Sequence, residues 1–337
     1  MRRAKIVCTI GPATSSPENL RKLIDAGMDV VRINRSHGSF EEHEAVYNNA
    51  REAAKAAGRN VAILVDLQGP KIRLGKFVED KKYFLNVGDK FTITTRDIEG
   101  NQEIVSTTHK GLADDAKVGD ALLIDDGKVR VRVTAVVNGT DVETVCEIPG
   151  PVSNNKGINL PGAAVSVPAM SEKDVDDLRW GLRMGADFIA LSFVRNAKDY
   201  DDVRKVMEEE NRVVPVIAKL EKPQAIENLE EVIAAFDGFM VARGDLAVEM
   251  PLAEVPLIQK RIIELARRNA KPVIVATQVL ETMTTNPRPT RAEASDCANA
   301  VLDGADAVML SGETSVGDFP ILTVQTMAEI IEATERL

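Results

Sequence analysis

Two apolar, strand-like runs end in charge: Ile-Ala-Lys219-Leu-Glu221-Lys-Pro over residues 217 to 223, and Phe-Met-Val-Ala-Arg243-Gly244-Asp245 over residues 239 to 245. Side chains two apart on a strand share a face, so Lys219 and Glu221 point the same way while Leu220 turns into the core. A hard divalent cation fits between the Glu221 and Asp245 carboxylates, with the lysine alongside to hold and neutralise a phosphate. Two carboxylates with no nearby His or Cys favour Mg2+ or Mn2+ over zinc. Glycine at 244 lets a backbone N–H approach a bound anion. A single Lys-x-Glu pair would serve equally as a nearly neutral surface ion pair. The second charged strand end tips the reading toward metal-assisted chemistry on an anion.

Further polar residues gather at other strand ends. Thr277 closes a β-branched run, where threonine is common for propensity alone. Its hydroxyl both donates and accepts, which suits binding a carboxylate or relaying a proton through water. The run Arg32-Ile-Asn34-Arg35-Ser36-His37-Gly38 places two guanidinium groups, an amide, a hydroxyl and an imidazole together. Alternation puts Arg32, Asn34 and Ser36 on one face. His37 reads either as a structural histidine at a helix entry or as a ligand contact. It is no metal ligand, because His43 and His109 lack a matching spacing. Asn155-Lys156-Gly157 is either an ordinary turn or a lysine presented to a phosphate on a mobile lid.

The elements that position these residues follow from periodicity. Residues 5 to 10, 30 to 34 and 61 to 66 read as strands, with helices starting near Ser16 and Ser39. Ser16-Pro17 places a cap before a first-turn proline, and Ser39 with Glu42 has capping-box spacing. From Gly69-Pro70 to about Pro168 the pattern changes to short strands separated by turns such as Asn138-Gly139, which predicts a small all-β unit. Strand and helix then alternate again, with strands over 188 to 194, 214 to 220, 238 to 242, 272 to 277 and 307 to 311. Three strands before the insert and five after it give the count of a (β/α)8 TIM barrel, an α/β fold whose reactive residues sit at the carboxyl ends of strands. Asn34, Asp66, Lys219, Asp245, Thr277 and Ser311 all lie where a strand runs out. The expected division is 1–69 plus 169–337 for the barrel and 70–168 for an inserted β lid. No P-loop and no G-x-G-x-x-G after a strand is present, so a nucleotide must be held another way.

Composition narrows the partners. The 337 residues carry a formal net charge of -10, which argues against bulk affinity for nucleic acid or an anionic membrane and in favour of small-molecule chemistry. The three cysteines, Cys8, Cys146 and Cys297, are far apart and form no C-x-x-C pair, as expected of reduced thiols in a cytoplasmic protein. No apolar stretch approaches the roughly 20 residues of a membrane helix, and the opening residues lack a signal-peptide core.

Eight motifs in order then carry a resemblance: Lys5-Ile-Val-Cys-Thr-Ile-Gly-Pro, Arg32-Ile-Asn-Arg-Ser-His-Gly, Asp66-Leu-Gln-Gly-Pro-Lys-Ile-Arg73, Asn155-Lys-Gly-Ile-Asn-Leu-Pro-Gly, Ile217-Ala-Lys-Leu-Glu-Lys-Pro, Met240-Val-Ala-Arg-Gly-Asp-Leu, Ala276-Thr-Gln and Asn286-Pro-Arg-Pro-Thr-Arg-Ala-Glu. Across its whole length the chain resembles the pyruvate kinases, of bacterial type. The resemblance implies phosphoryl transfer from phosphoenolpyruvate to ADP, giving ATP and an enolate that is protonated to pyruvate. It implies Mg2+ (or Mn2+) on Glu221 and Asp245, with Lys219 stabilising the transferring phosphoryl group and Arg32 contacting it. Gly244, Asp245 and Thr277 would hold the substrate carboxylate, and Thr277 would join the water network that protonates the enolate. Asn34, Arg35, Ser36, His37, Arg73 and Lys156 would serve the nucleotide. Potassium would sit near Asn34, Ser36, Asp66 and the carbonyl of Leu67. The β insert would close over the nucleotide as a lid.

Departures from the family pattern qualify these implications. Arg35 stands where the family usually has phenylalanine or another apolar residue, adding positive charge at the nucleotide mouth. Ala247 replaces a usual glycine, and its methyl would crowd or stiffen the substrate loop. Lys71 occupies a position where potassium-dependent members tend to carry glutamate, so its ammonium could replace the monovalent ion. The carboxyl-terminal α/β effector domain of family members is expected to be absent, whereas a full-length form would be a homo-oligomer, dimer or tetramer. Two other readings compete. One is a catalytically incompetent fragment that still binds substrate or metal. The other is a Mg2+-dependent, enolate-forming barrel lyase, which needs neither a nucleotide lid nor Lys156.

Overall fold

In a computed structural model, which describes residues 1–163 and 165–337, the alternating apolar runs become eight parallel strands that close into a barrel. They are β1 (Lys5–Thr9), β2 (Val30–Asn34), β3 (Ala62–Asp66), β4 (Phe188–Leu191), β5 (Val216–Leu220), β6 (Gly238–Ala242), β7 (Val273–Ala276) and β8 (Ala307–Leu310). Each pairs with its sequence neighbour, and β1 closes on β8 from Lys5 opposite Ala307 to Cys8 opposite Leu310. The expected (β/α)8 barrel is the fold.

Alternation explains how the barrel fills. Val7, Leu64, Ala190, Ile217, Met240, Ile274, Ala276, Ala307 and Met309 form one apolar cluster in its interior. The residues between them, such as Ile6, Val31, Ile63, Ile189 and Val241, point outward and are also buried, because parallel strands are covered on both faces. The helices start where the caps predict. Ser16 accepts from the Asn19 amide ahead of α1 (Pro17–Ala26), and Ser39 forms a capping box with Glu42 ahead of α2 (Phe40–Ala57). Ser171 and Asp174 form another ahead of α3 (Glu172–Met184).

Several strands stop earlier than the sequence suggests. The run expected to reach residue 194 ends at Leu191, because Phe193 adopts a left-handed φ of 56° and gives its N–H to Glu221 Oε1 at 2.8 Å. Strand β7 likewise ends at Ala276, with Thr277 at φ 75°. These breaks turn the chain at the end of the barrel where the polar residues lie.

The chain forms two compact units. The first comprises Met1–Gly69, Met170–Gly244 and Ala253–Leu337, and the second Pro70–Ala169 with Asp245–Leu252. The second holds a six-stranded sheet, a two-stranded ribbon (Gly150–Val152 against Tyr83–Leu85) and its own core around Phe77, Leu85, Phe91 and Ile93. Asn138 and Gly139, at φ 55° and 64°, make the hairpin turn between its two longest strands. Grouping 245–252 with this unit corrects the expectation that the segment belongs to the barrel. Within the second unit, the Asn159 amide donates to Glu249 Oε1 at 2.7 Å, and both side chains are buried, so leaving them apart would orphan a polar group.

Cys8, Cys146 and Cys297 are unpaired with one another and buried. Among the described residues no helix is long and apolar enough to cross a membrane. Met240 is fully buried in the barrel interior. Met240→Ala is expected to cost about 2–5 kcal/mol through lost contacts and a cavity, measured as a lower urea midpoint.

Candidate active site

The strand period that fills the barrel also builds the site. Two residues beyond the interior positions Val7, Leu64, Ala190 and Ile217 come Thr9, Asp66, Ser192 and Lys219, and Arg32 follows Val30 in the same way. The next layer up is therefore polar, and its members are joined. Arg32 Nε donates to Asp66 Oδ2 at 2.7 Å, and Arg32 Nη1 donates to Thr9 Oγ1 at 2.8 Å, which itself donates to the Leu310 carbonyl at 2.9 Å. Lys219 Nζ lies 3.3 Å from Asp66 Oδ1 and donates to Ser192 Oγ at 2.9 Å. Ser192 Oγ in turn donates to the Leu67 carbonyl at 2.7 Å.

Asp66 is 1% exposed and Arg32 8%. Burial alone would push the Asp66 carboxyl up, but the Lys219 ammonium and the Arg32 guanidinium outweigh it and hold the group below the usual carboxylate range. Asp66 Oδ1 makes no well-aligned hydrogen bond, and its compensation is the ion pair with Lys219. The site thus presents a guanidinium and an ammonium fixed by one carboxylate, an arrangement suited to an anion with spread charge.

Glu221 follows β5 and is buried, with Oε1 accepting from the Phe193 amide and Oε2 lying 3.9 Å from Lys219 Nζ. Lys219 and Glu221 share a face, as their spacing predicts. Gly244 and Thr277 also meet, since a Cβ added at 244 would come within 2.9 Å of Thr277 Cγ2. Thr277 is a β-branched residue in the left-handed region, a strain that persists only where the surroundings impose it. Arg243 is what imposes it. Its Nη2 donates to the Thr277 carbonyl at 2.8 Å and its Nε to the Ala276 carbonyl at 3.1 Å, while Asp296 grips the fork at 2.7 and 2.8 Å. Glu313, fully buried, accepts the Ser311 amide at 2.6 Å and the Leu280 amide at 3.4 Å, tying the loops after β7 and β8. Burial raises its carboxyl pKa.

Other expected residues fall in two groups. In the first unit, Asn34 ends β2, and its Oδ1 accepts the Ser36 amide at 3.0 Å, so the one-face alternation stops there in a local turn. His37 is exposed, and Leu67 is buried with its carbonyl toward Ser192. In the second unit, Arg73 Nη1 donates to the Asn155 carbonyl at 3.0 Å, Lys156 Nζ lies 3.4 Å from Asp125 Oδ1, and Lys71 Nζ lies 3.5 Å from Asp126 Oδ1. Asp245, in the first turn of helix Arg243–Glu249, groups with that unit. Ala247 lies inside this helix, where alanine is favoured over glycine.

Arg35 requires correction. Its guanidinium is 3% exposed and paired with Asp177 at 2.9 Å, so its charge is spent inside the protein instead of at a nucleotide mouth.

Residues 1–324 match the family model described as pyruvate kinase, barrel domain. The pyruvate kinase of Corynebacterium glutamicum is 60% identical over 336 residues, 99% of this chain and 70% of the relative. That of Mycobacterium tuberculosis is 58% identical over 334 residues, with the same shares. The chain belongs to the pyruvate kinase family. A more distant pyruvate kinase, from Geobacillus stearothermophilus, is 48% identical over 99% of the chain and 57% of the relative. The protein is accordingly a phosphotransferase with pyruvate kinase function, and neither the lyase nor the incompetent-fragment reading is favoured.

Sequence reasoning missed Ser192, Arg243 with Asp296, and Glu313. Arg243 stood in plain view in the Arg-Gly-Asp run, but its partner lies fifty-three positions away. Ser192 carried one signal, its place two residues beyond the interior Ala190.

Asp66→Asn is expected to lower stability by about 3–5 kcal/mol, because it strands two buried cations. The folded pKa of Asp66 lies below its unfolded value, so its contribution is complete above that value and disappears as pH falls through the folded one. In urea melts the gap between wild type and Asp66→Asn should hold steady between about pH 7 and pH 5 and shrink below about pH 4.

Proposed function

We propose that the polar layer above the barrel core carries the transfer, from phosphoenolpyruvate to ADP, as follows. A β-phosphate oxygen of ADP forms a bond to phosphorus while the bond from phosphorus to the enol oxygen breaks, and the enolate left behind takes a proton at carbon to become pyruvate. The observation that carries the reading is the chain Arg32–Asp66–Lys219, which offers two fixed cations to one anion. Lys219 and Arg32 stabilise charge on the phosphoryl group during transfer, an electrostatic role that needs no covalent intermediate. The amides of Gly244 and Asp245 with the Thr277 hydroxyl hold the substrate carboxylate, and Thr277 orders the water that protonates the enolate.

The Glu221 and Asp245 carboxylates are hard oxygen donors of the kind Mg2+ or Mn2+ prefers. When bound there, the cation supplies neutralisation of substrate and phosphoryl charge. Asn34 and Ser36 side-chain oxygens, Asp66 and the Leu67 carbonyl make a comparable oxygen set for a monovalent ion. Ser36, His37, Arg73 and Lys156 serve the nucleotide. Lys71, in place of glutamate, supplies a positive charge that makes potassium dispensable.

A lactate dehydrogenase and NADH coupled assay tests this reading. Pyruvate release should require ADP and Mg2+, and Lys219→Met should lower kcat by roughly 10²–10³-fold, the scale of one lost transition-state donor. Turnover should persist when potassium is replaced by tetramethylammonium, and loss of activity would remove Lys71 from its role. Pyruvate release without ADP would contradict the kinase reading, and no release from a folded chain would favour an incompetent fragment.

A further inference from the structure

Arg35 sits among Asn34, Ser36 and His37, yet it turns away from them into the space between α2 and α3. Its Nε and Nη2 face Asp177 Oδ1 at 3.0 and 2.9 Å, and Nη1 donates to the Ser39 carbonyl at 3.3 Å and touches His43 Nδ1. The guanidinium carbon lies 4.3 Å from the Phe40 ring centroid and 5.2 Å from that of Trp180. Burial and the Arg35 charge push His43 down to about 4, so its ring is neutral near pH 7 and can accept from the guanidinium. A fork that pairs, stacks and donates at once has little freedom left.

The backbone of the same residue is held as firmly. The Arg35 N–H donates to the Asp66 carbonyl at 2.9 Å, and Lys173 Nζ donates both to the Arg35 carbonyl at 2.7 Å and to Asp177 Oδ2 at 2.5 Å. Lys173 and Asp177 are one turn apart on α3. Between them, Asp174 accepts the Gly69 amide at 3.0 Å and the Ser171 amide at 2.9 Å. Gly69 is where the chain leaves the first unit, and Ser171 lies just after its return at Met170. Lys173, Asp174 and Asp177, on one helix, therefore hold the loop after β2 and the chain at Gly69 and Ser171.

We propose that the Arg35–Asp177 pair is a positioning device for the nucleotide, fixing the β2 loop on α3 so that Arg35 sets the affinity for ADP without touching it. The inference rests on the reading of Ser36 and His37 as nucleotide contacts. An apolar pair could stabilise this packing as well as an ion pair does. What the charged pair adds, with two guanidinium nitrogens on Asp177 Oδ1, is a defined geometry for residues 34 to 37.

The test is steady-state kinetics of Arg35→Leu, Arg35→Lys and Asp177→Asn, well below each melting temperature, varying ADP at saturating phosphoenolpyruvate and the reverse. Arg35→Leu and Asp177→Asn should each raise KM for ADP by about tenfold or more, the usual scale for a lost outer partner, with KM for phosphoenolpyruvate moving less than about twofold. Arg35→Lys, which keeps the charge but loses the fork, should fall between and remains informative where the harsher variants do not fold. Ser36→Ala and His37→Ala separate the two ideas. If neither changes KM for ADP, the nucleotide reading fails and the proposal falls with it. If they raise it while Asp177→Asn does not, the positioning role alone is overturned. Equal losses for both substrates would show general loosening and overturn it as well.

Discussion

A buried carboxylate survives in a barrel only if its cations stay where they are. Asp66 meets that condition with Arg32 on one oxygen and Lys219 on the other, reached from β2 and β5 on either side of β3 and β4. Taking such charges out of water costs several kcal/mol per ion, and the cost is recovered only at good geometry. The apolar layer beneath, from Val7 to Met309, supplies that geometry by holding the strands in register. The rigidity that makes the ion pairs tolerable also fixes the two cations, so under the proposed function stability and catalysis would rest on the same contact.

Around this centre, loops are held by charges placed one step back. Arg243 with Asp296 fixes the strained backbone at Thr277, and Glu313 ties the loops after β7 and β8. Lys173, Asp174 and Asp177 do the same for the loop after β2 and for the chain at Gly69 and Ser171. In each case the polar atoms of a side chain are met by backbone groups or by a partner side chain, as burial of polar groups demands. The polar residues at the strand ends thus sit on turns whose conformations are set by neighbours from other elements.

Much of this was legible in the sequence because it is local. Periodicity located all eight barrel strands, caps at Ser16 and Ser39 marked helix starts, and strand ends marked Asp66, Lys219 and Thr277. What escaped is set by long-range pairing. Arg35 looks like added positive charge beside a nucleotide until Asp177, Phe40 and Trp180 are seen around it. The early ends of β4 and β7 follow from left-handed turns at Phe193 and Thr277, residues with no sequence preference for them. Segment 245–252 groups with the β unit through pairings such as Asn159 with Glu249, which no local pattern announces.

The most direct test follows the phosphorus itself. In a phosphorus NMR time course of this chain with phosphoenolpyruvate, ADP and Mg2+, the phosphoenolpyruvate signal should fall as the γ-phosphate signal of ATP rises, one for one, with little inorganic phosphate. Appearance of inorganic phosphate in place of ATP, or no change with a folded protein, would contradict the claim that the Arg32–Asp66–Lys219 layer directs transfer to the nucleotide.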